Sequence, residues 1–554
     1  MSENSVHPIG STDRGISSWY KGEANVRKSS RVLILILISM TGMIAVSVVT
    51  QLGIGVSPDS TVYLGVANSL ADGKGLRVPL GDRPGERLTH YPPLYPAVLS
   101  IPKILGLDLL AGARWINLTL FFANIVLVGL ILCTLLPENF WLPLGGAFFT
   151  SISLTILNIH AMAWSEPLFV FCILSSILFL SRYLEREQTK DLAVSIVATA
   201  LALLTRYAGI SLVVTCGLAI MLWLSSRYVK RLAVVAVFVL FSILPLSVWM
   251  LTSIASSGTA ALGRQILFHP PGKEKLFQLL YTLSDWLTLP NQWPDLAKAM
   301  IVAGILIGGL IILMGVLERV TSKQATSEKE YFKEIPVFVR ISLLLSFVYL
   351  LSVFLSITFL DATIPLDLRI LSPFYVLFVI IGAYAIERGI SKAERNSPSR
   401  LGIAFLILMF CMLHLKASVQ WIQEYRGFGL GYTSIRWRNS TVYKELIRLP
   451  DEMIIYSNAP EPIYLYTGKS ARFLPRSWNA ITKQINPRYS DELRYLKELM
   501  HQDQAVIVYF LNFKRTSLEE EQMLIQTMQL CLGVALPDAR IYHAAGDGND
   551  CLRY

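Results

Sequence analysis

The chain has 554 residues, of which 53% are hydrophobic and 16% charged, with a mean hydropathy of +0.51 and a formal charge of +10. Soluble domains carry nearer a quarter charged residues, so the composition excludes a soluble enzyme and indicates a chain that crosses a membrane many times. The positive charge does not indicate a nucleic-acid partner: most basic clusters sit at the ends of apolar runs, where positive-inside bias puts them, with a share left for anionic lipid or substrate.

Residues 1–32 form a polar tail that turns basic at Arg27, Lys28 and Arg31 and leads into a retained signal anchor. Apolar runs of spanning length recur about eleven times, at 33–53, 111–135, 141–160, 165–183, 191–205, 208–226, 232–254, 297–317, 337–360, 370–388 and 401–417. With a cytosolic N-terminus, the basic loops at Arg182–Arg186, Arg227–Arg231, Lys323–Lys333 and Arg388–Arg400 all fall inside the cell. The outer face then receives 57–96, 158–166, 205–207, 256–296, 361–369 and everything after about Lys416. The expectation is an α-helical polytopic protein of the cell (plasma or inner) membrane. It has a cytosolic tail (1–32), a transmembrane module (33–418) whose first outward loop (55–110) holds amphipathic surface helices, and an extracytoplasmic α/β domain (419–554).

In that last region MIIYSN (453–458) and AVIVYF (505–510) read as buried strands, and Asp491–His501 and Ser517–Met528 as helices. Cys133, Cys172, Cys216 and Cys411 lie in apolar spans. Cys531 and Cys551 lie in the polar tail and are a candidate disulfide if that tail is outside the cytosol, although spacing alone fixes no pairing.

The first outward loop has the most local detail. Ser57 suits a helix cap, Pro58 the first helical position, and Asp59 the first turn, where the dipole favours a carboxylate. Tyr63, Val66, Ala67 and Leu70 form one apolar stripe, and Gly73-Lys74-Gly75 ends the helix. Asp59 alone is explained by the dipole. It gains significance from the other polar residues at outward span ends: His90-Tyr91-Pro92-Pro93, Glu166 in WSEPLF, Arg206 in LLTRYAG and Arg369 before ILSP. An ionisable residue at the edge of a span is costly unless it pairs or faces water, and several of both signs on one face describe a polar cavity. Taken singly, Glu166 is also a good helix start, Arg206 and Arg369 can snorkel to the interface, and His90 can cap a turn. Arg264 and His269 stand in a segment with Trp286 and Trp293 that suits an interfacial loop; they are further candidates.

As a set and in this order, SPDSTVYLGVANSLADGKG, HYPPLYP, WSEPLF, LLTRYAG and LRILSPFY resemble the polytopic glycosyltransferases of the GT-C fold. The resemblance is to the bacterial branch grouped with protein O-mannosyltransferases and the lipid A aminoarabinose transferase, and it covers about residues 33–390. It implies inverting transfer of a sugar from a polyprenyl-phosphate donor to an acceptor hydroxyl of a glycan, lipid or protein. Asp59 matches the first-loop acid that acts as general base. Glu166 matches an acid that places substrate or a metal. His90 stands where some members carry an acid, a departure that bears on any metal role; a divalent metal is left open, with Glu166 and His90 as the residues that would hold it. Arg206, Arg369 and Tyr91 would contact the donor phosphate, and no soluble cofactor is implied. Two other classes stay open: a glycan or lipid transporter without bond cleavage, which would favour midplane sites and inverted repeats, and a non-catalytic assembly protein.

Overall fold

The computed structural model describes residues 13–81, 84–257, 266–289, 292–304, 335–392, 398–511 and 518–544. Its helices in chain order are α1 (Asp13–Val49), α2 (Pro58–Ala71), α3 (Leu94–Ile104), α4 (Leu109–Leu135), α5 (Trp141–Ile152), α6 (Leu154–Ala161), α7 (Glu166–Arg186), α8 (Thr189–Thr205), α9 (Ile210–Trp223), α10 (Tyr228–Ser257), α11 (Lys273–Trp286), α12 (Val337–Phe359), α13 (Ser372–Lys392) and α14 (Pro398–Phe428).

Among the described residues seven helices are long and apolar enough to cross a membrane, or eight if the α5–α6 pair, bent by 52°, counts as one span. This differs from the eleven expected spans. The run 141–160 is broken at Ser153, and 191–205 and 208–226 become helices of 17 and 14 residues separated by a short 3-10 turn at Tyr207–Gly209. Most of 297–317 lies outside the described residues. Hydropathy registers the apolar length of a run but neither a bend within it nor the length of the helix it forms, so runs of spanning hydropathy and helices of spanning length need not coincide.

The spans pack around one core that includes Leu35, Phe121, Ile125, Phe169, Ile173, Ile341, Tyr375 and Ile380. Because lipid is as apolar as leucine, burial alone does not hold such helices together, and small and hydroxyl residues contribute adhesion. Ser176 on α7 shares hydrogen bonds with Ser195 (3.2 Å) and Thr199 (2.7 Å) on α8, all fully buried. Contacts of this kind are worth about 0.6 kcal/mol each on average.

One irregular strip ties the site end together. Gly55 N–H donates to Ala161 O, Ala163 N–H returns to Gly55 O (both 2.8 Å), and on the other edge Tyr432 N–H donates to Val56 O at 2.7 Å. The ends of α1, α6 and α14 therefore meet, and α2 and α7 start from that junction. Glycine is required at two points: a Cβ on Gly55 would lie 2.7 Å from Leu430 Cβ, and Gly431, at φ +57°, would place one 2.2 Å from Val56 O.

Beyond Phe428, a five-stranded mixed sheet is covered by helices α15 (Val442–Arg448), α16 (Pro460–Thr467), α17 (Tyr489–His501) and α18 (Leu518–Met528). Two short ribbons lie outside the sheet: β1–β2 (Arg77–Val78, Glu86–Arg87) in the first loop and β5–β6 (Trp478–Asn479, Gln484–Ile485) after the sheet's edge strand. Within the sheet β3 (Ile454–Ser457) runs parallel to β4 (Ala471–Phe473) and to β7 (Ala505–Phe510). The antiparallel pair β8 (Leu530–Ala535) and β9 (Ala539–Ala544) completes the order β4-β3-β7-β9-β8. The two apolar runs read as strands, and the two stretches read as helices, take those forms here. Cys531 is buried on β8; Cys551 lies outside the described residues.

Candidate active site

Four charged side chains from distant parts of the chain meet at the junction end of the bundle. Asp59 occupies the first turn of α2, whose cap is Ser57: its Oγ accepts the Ser60 N–H at 3.3 Å. Glu166 is the first residue of α7, Arg206 lies at the break after α8, and Arg369 lies in the loop before α13. Arg369 uses separate nitrogens for the two acids: Nη1 donates to Asp59 Oδ2 at 2.6 Å, and Nε donates to Glu166 Oε1 at 2.5 Å. Arg206 Nη1 donates to the same Glu166 Oε1 and to Ser165 Oγ at 3.1 Å.

Trp164 supplies the wall. Its ring lies 4.7 Å from the Arg369 guanidinium carbon, within cation–π range, and its Nε1 donates to Ser57 Oγ at 2.8 Å. The sequence alone places this tryptophan in an aromatic belt; its position directly before Ser165-Glu166 was the available signal. Tyr91 Oη donates to Asp59 Oδ1 at 2.7 Å, and Tyr63 meets Tyr91 and Tyr95 edge-on at 4.9 and 5.2 Å. Tyr349 fixes the Arg369 loop from α12 by donating to Ile370 O at 2.6 Å.

Burial divides the group. The Asp59 side chain keeps 31% of its surface open, whereas Glu166 keeps 1% and the two arginines 16–17%. Asp59 can therefore be reached from outside, while Glu166 lies beneath the guanidinium groups, with Oε2 buried and lacking a hydrogen-bond partner. Burial works against the Asp59 charge, but Arg369, the Tyr91 hydroxyl and Arg206 together hold its carboxyl below the ordinary value. Burial and the Asp59 charge push the Tyr63 phenol up to about 12 and the Tyr91 phenol well above its usual 10. Burial also opposes the charge on Arg369, but Glu166 and Asp59 outweigh it and the guanidinium stays protonated.

The other candidates stand outside the charged group. His90 is exposed, with its ring edge-on to Tyr91 at 4.7 Å. His269 is buried, although a Pro-turn histidine is usually exposed: its backbone N–H donates to Thr358 O at 2.9 Å and its ring Nδ1 has no hydrogen-bond partner. Arg264 lies outside the described residues. No group of three or more His, Cys, Asp or Glu side chains able to hold a metal ion is found among the described residues. At Glu166 both guanidinium groups occupy Oε1, and Oε2 has no hydrogen-bond partner.

A buried polar network sets the break before Glu166. Asn117 Nδ2 on α4 donates to the carbonyls of His160 (3.2 Å) and Met162, and Asn124 Nδ2 donates to Pro167 O at 3.0 Å. His160 Nδ1 lies 2.8 Å from Ile156 O, which can only accept; Nε2 is then the acceptor facing Asn124.

No family model matches the chain, and no curated protein matches it. Its shape resembles that of ArnT from Cupriavidus metallidurans. The likeness to the undecaprenyl phosphate-bound structure has 12% identity and TM-score 0.51, and that to the apo structure 13% and 0.53; each covers 92% of this chain and 97% of that one. The archaeal oligosaccharyltransferase AglB from Archaeoglobus fulgidus, solved with an inhibitory peptide and a dolichol-phosphate, is similar over 88% of this chain and 70% of that one, with 13% identity and TM-score 0.51. At these identities the likeness shows the fold: a multi-pass GT-C architecture.

Proposed function

We propose that the protein is an inverting glycosyltransferase that moves a sugar from a polyprenyl-phosphate donor to an acceptor hydroxyl on the outer face of the membrane. The observation that carries the reading is the fork of Arg369, which holds one exposed and one buried carboxylate at the same time. Two of the structures with this fold hold lipid phosphates, undecaprenyl phosphate in ArnT and dolichol-phosphate in AglB, and this supports a donor of the same class.

The chemistry follows from the charges. Asp59 and Glu166 carry two negative charges and Arg206 and Arg369 two positive, so these four side chains balance one another. A donor phosphate competes with Asp59 for Arg369. When the guanidinium turns to the phosphate, Asp59 loses the main partner that holds its pKa down and becomes a better base, with its side chain partly open to an acceptor. The acceptor oxygen then forms its bond to the sugar's anomeric carbon, and its proton passes to Asp59. The bond from that carbon to the phosphate oxygen breaks, and the electron pair leaves on the lipid phosphate. Because the second pKa of a phosphate monoester is about 6, that leaving group needs fixed positive charge rather than a proton. Arg369 and Arg206 supply the charge, and Glu166 keeps both in place. One such preorganised contact is worth about 3–4 kcal/mol of barrier.

The test uses the purified full-length protein with a panel of radiolabelled polyprenyl-phosphate sugars. The expected result is loss of label from one donor class to an acceptor, with lipid phosphate as co-product. Movement of an intact labelled lipid across vesicles without bond cleavage would replace this reading with transport.

A further inference from the structure

We propose that the β5–β6 ribbon of the C-terminal unit is a membrane-interface anchor that docks on anionic lipid headgroups at the site's side of the bilayer. In the antiparallel register Trp478 lies directly opposite Ile485, so the two side chains share one face. They are 49% and 75% exposed, and Ile481 in the turn is 38% exposed. Three exposed apolar side chains gathered on a two-stranded ribbon form an apolar patch at the surface of the described residues.

The occupant follows from depth and charge. The ribbon's turn touches the membrane-spanning bundle: Ala362 N–H donates to Ile481 O at 3.1 Å, three residues beyond the end of α12. Phe354, Leu355 and Phe359, in the last turns of that spanning helix, are exposed along its lipid-facing side. The ribbon therefore sits at the level where the apolar slab ends, the depth at which tryptophan is enriched. Residues 474–488 contain Arg476, Lys483 and Arg488 and neither Asp nor Glu. All three cations are exposed. An apolar tip flanked by cations matches an anionic bilayer interface better than a second protein surface or a neutral saccharide. Anchoring would also steady the loop from Leu360 to Leu371 that carries Arg369, because Ala362 belongs to it.

The experiment uses the full chain in nanodiscs and needs no donor, so its outcome is independent of the transfer reaction. A fluorophore is placed at Ile485→Cys and, as control, at Met523→Cys on α18, which packs at the opposite edge of the sheet and is 64% exposed at that position; unsubstituted protein labelled in parallel gives the background. Spin-labelled lipid should quench the Ile485→Cys probe several-fold more than the control. Amide exchange across 476–488 should slow when phosphatidylglycerol replaces phosphatidylcholine, and the R476Q/K483Q/R488Q variant should lose that dependence. Equal quenching at the two sites overturns the proposal. So does exchange that ignores lipid composition, or protection already complete in detergent, where a second copy or the fold itself would be the cover.

Discussion

Arg369 Nη1 and Asp59 Oδ2 lie 2.6 Å apart although 310 positions separate the residues in the chain. The pairing gives Asp59 its state. The carboxylate opens a surface helix and is partly accessible, yet it is held ionised by a guanidinium anchored from below by a second, buried acid.

Replacing Arg369 by lysine should cost on the order of 100-fold in kcat/KM for the donor, because a single ammonium cannot reach both acids along the two directions that the fork uses. Steady-state kinetics with varied donor checks this, with KM rising as well as kcat falling.

Glu166→Gln should destabilise the fold as well as the site. The side chain is 1% exposed and balances two guanidinium groups; removing one partner of a buried charge group costs about 3–5 kcal/mol. Thermal unfolding in detergent should show a clear drop in Tm, larger than that of Asp59→Asn, whose position is 31% open.

The pH response has a defined sign. The folded-state carboxyl of Asp59 titrates below its ordinary value of 3.8. Its contribution to stability is therefore complete above the unfolded value and is lost as pH falls through the lower folded one. The acid limb of kcat/KM, which reports the free enzyme, should accordingly lie below that ordinary value. In the residual activity of Arg369→Gln the limb should move upward, since the main charge holding the pKa down is gone.

Gly431→Ala should loosen the junction. At φ +57° the added Cβ meets Val56 O at 2.2 Å, so the Val56–Tyr432 pairing must open. A loss of about 1–3 kcal/mol, together with lower transfer, is expected from a residue far from the charged group in sequence. Unfolding and activity measured on the same preparation check it.

The charged residues were legible in the sequence because an ionisable side chain at the edge of an apolar run carries a cost that needs an explanation, and alternating the spans puts Asp59, Glu166, Arg206 and Arg369 at one end. Trp164 was not, because a tryptophan beneath a guanidinium and one in an interfacial belt have the same local pattern. The 54–56 strip has no periodicity to detect, being three residues long and paired to segments more than 100 and 370 positions away. The bend at Ser153 is invisible to hydropathy, which stays high through it. The buried ring of His269 depends on backbone pairing with the end of α12, a contact that no local rule predicts.

The most direct test compares transfer from the donor identified in the labelled panel by wild-type protein and by Asp59→Asn, with folding matched by Tm. A fall of at least about 100-fold in kcat, with donor still bound, is the predicted result. Full activity in Asp59→Asn would contradict the assignment of the base and, with it, the role given to the Arg369 fork.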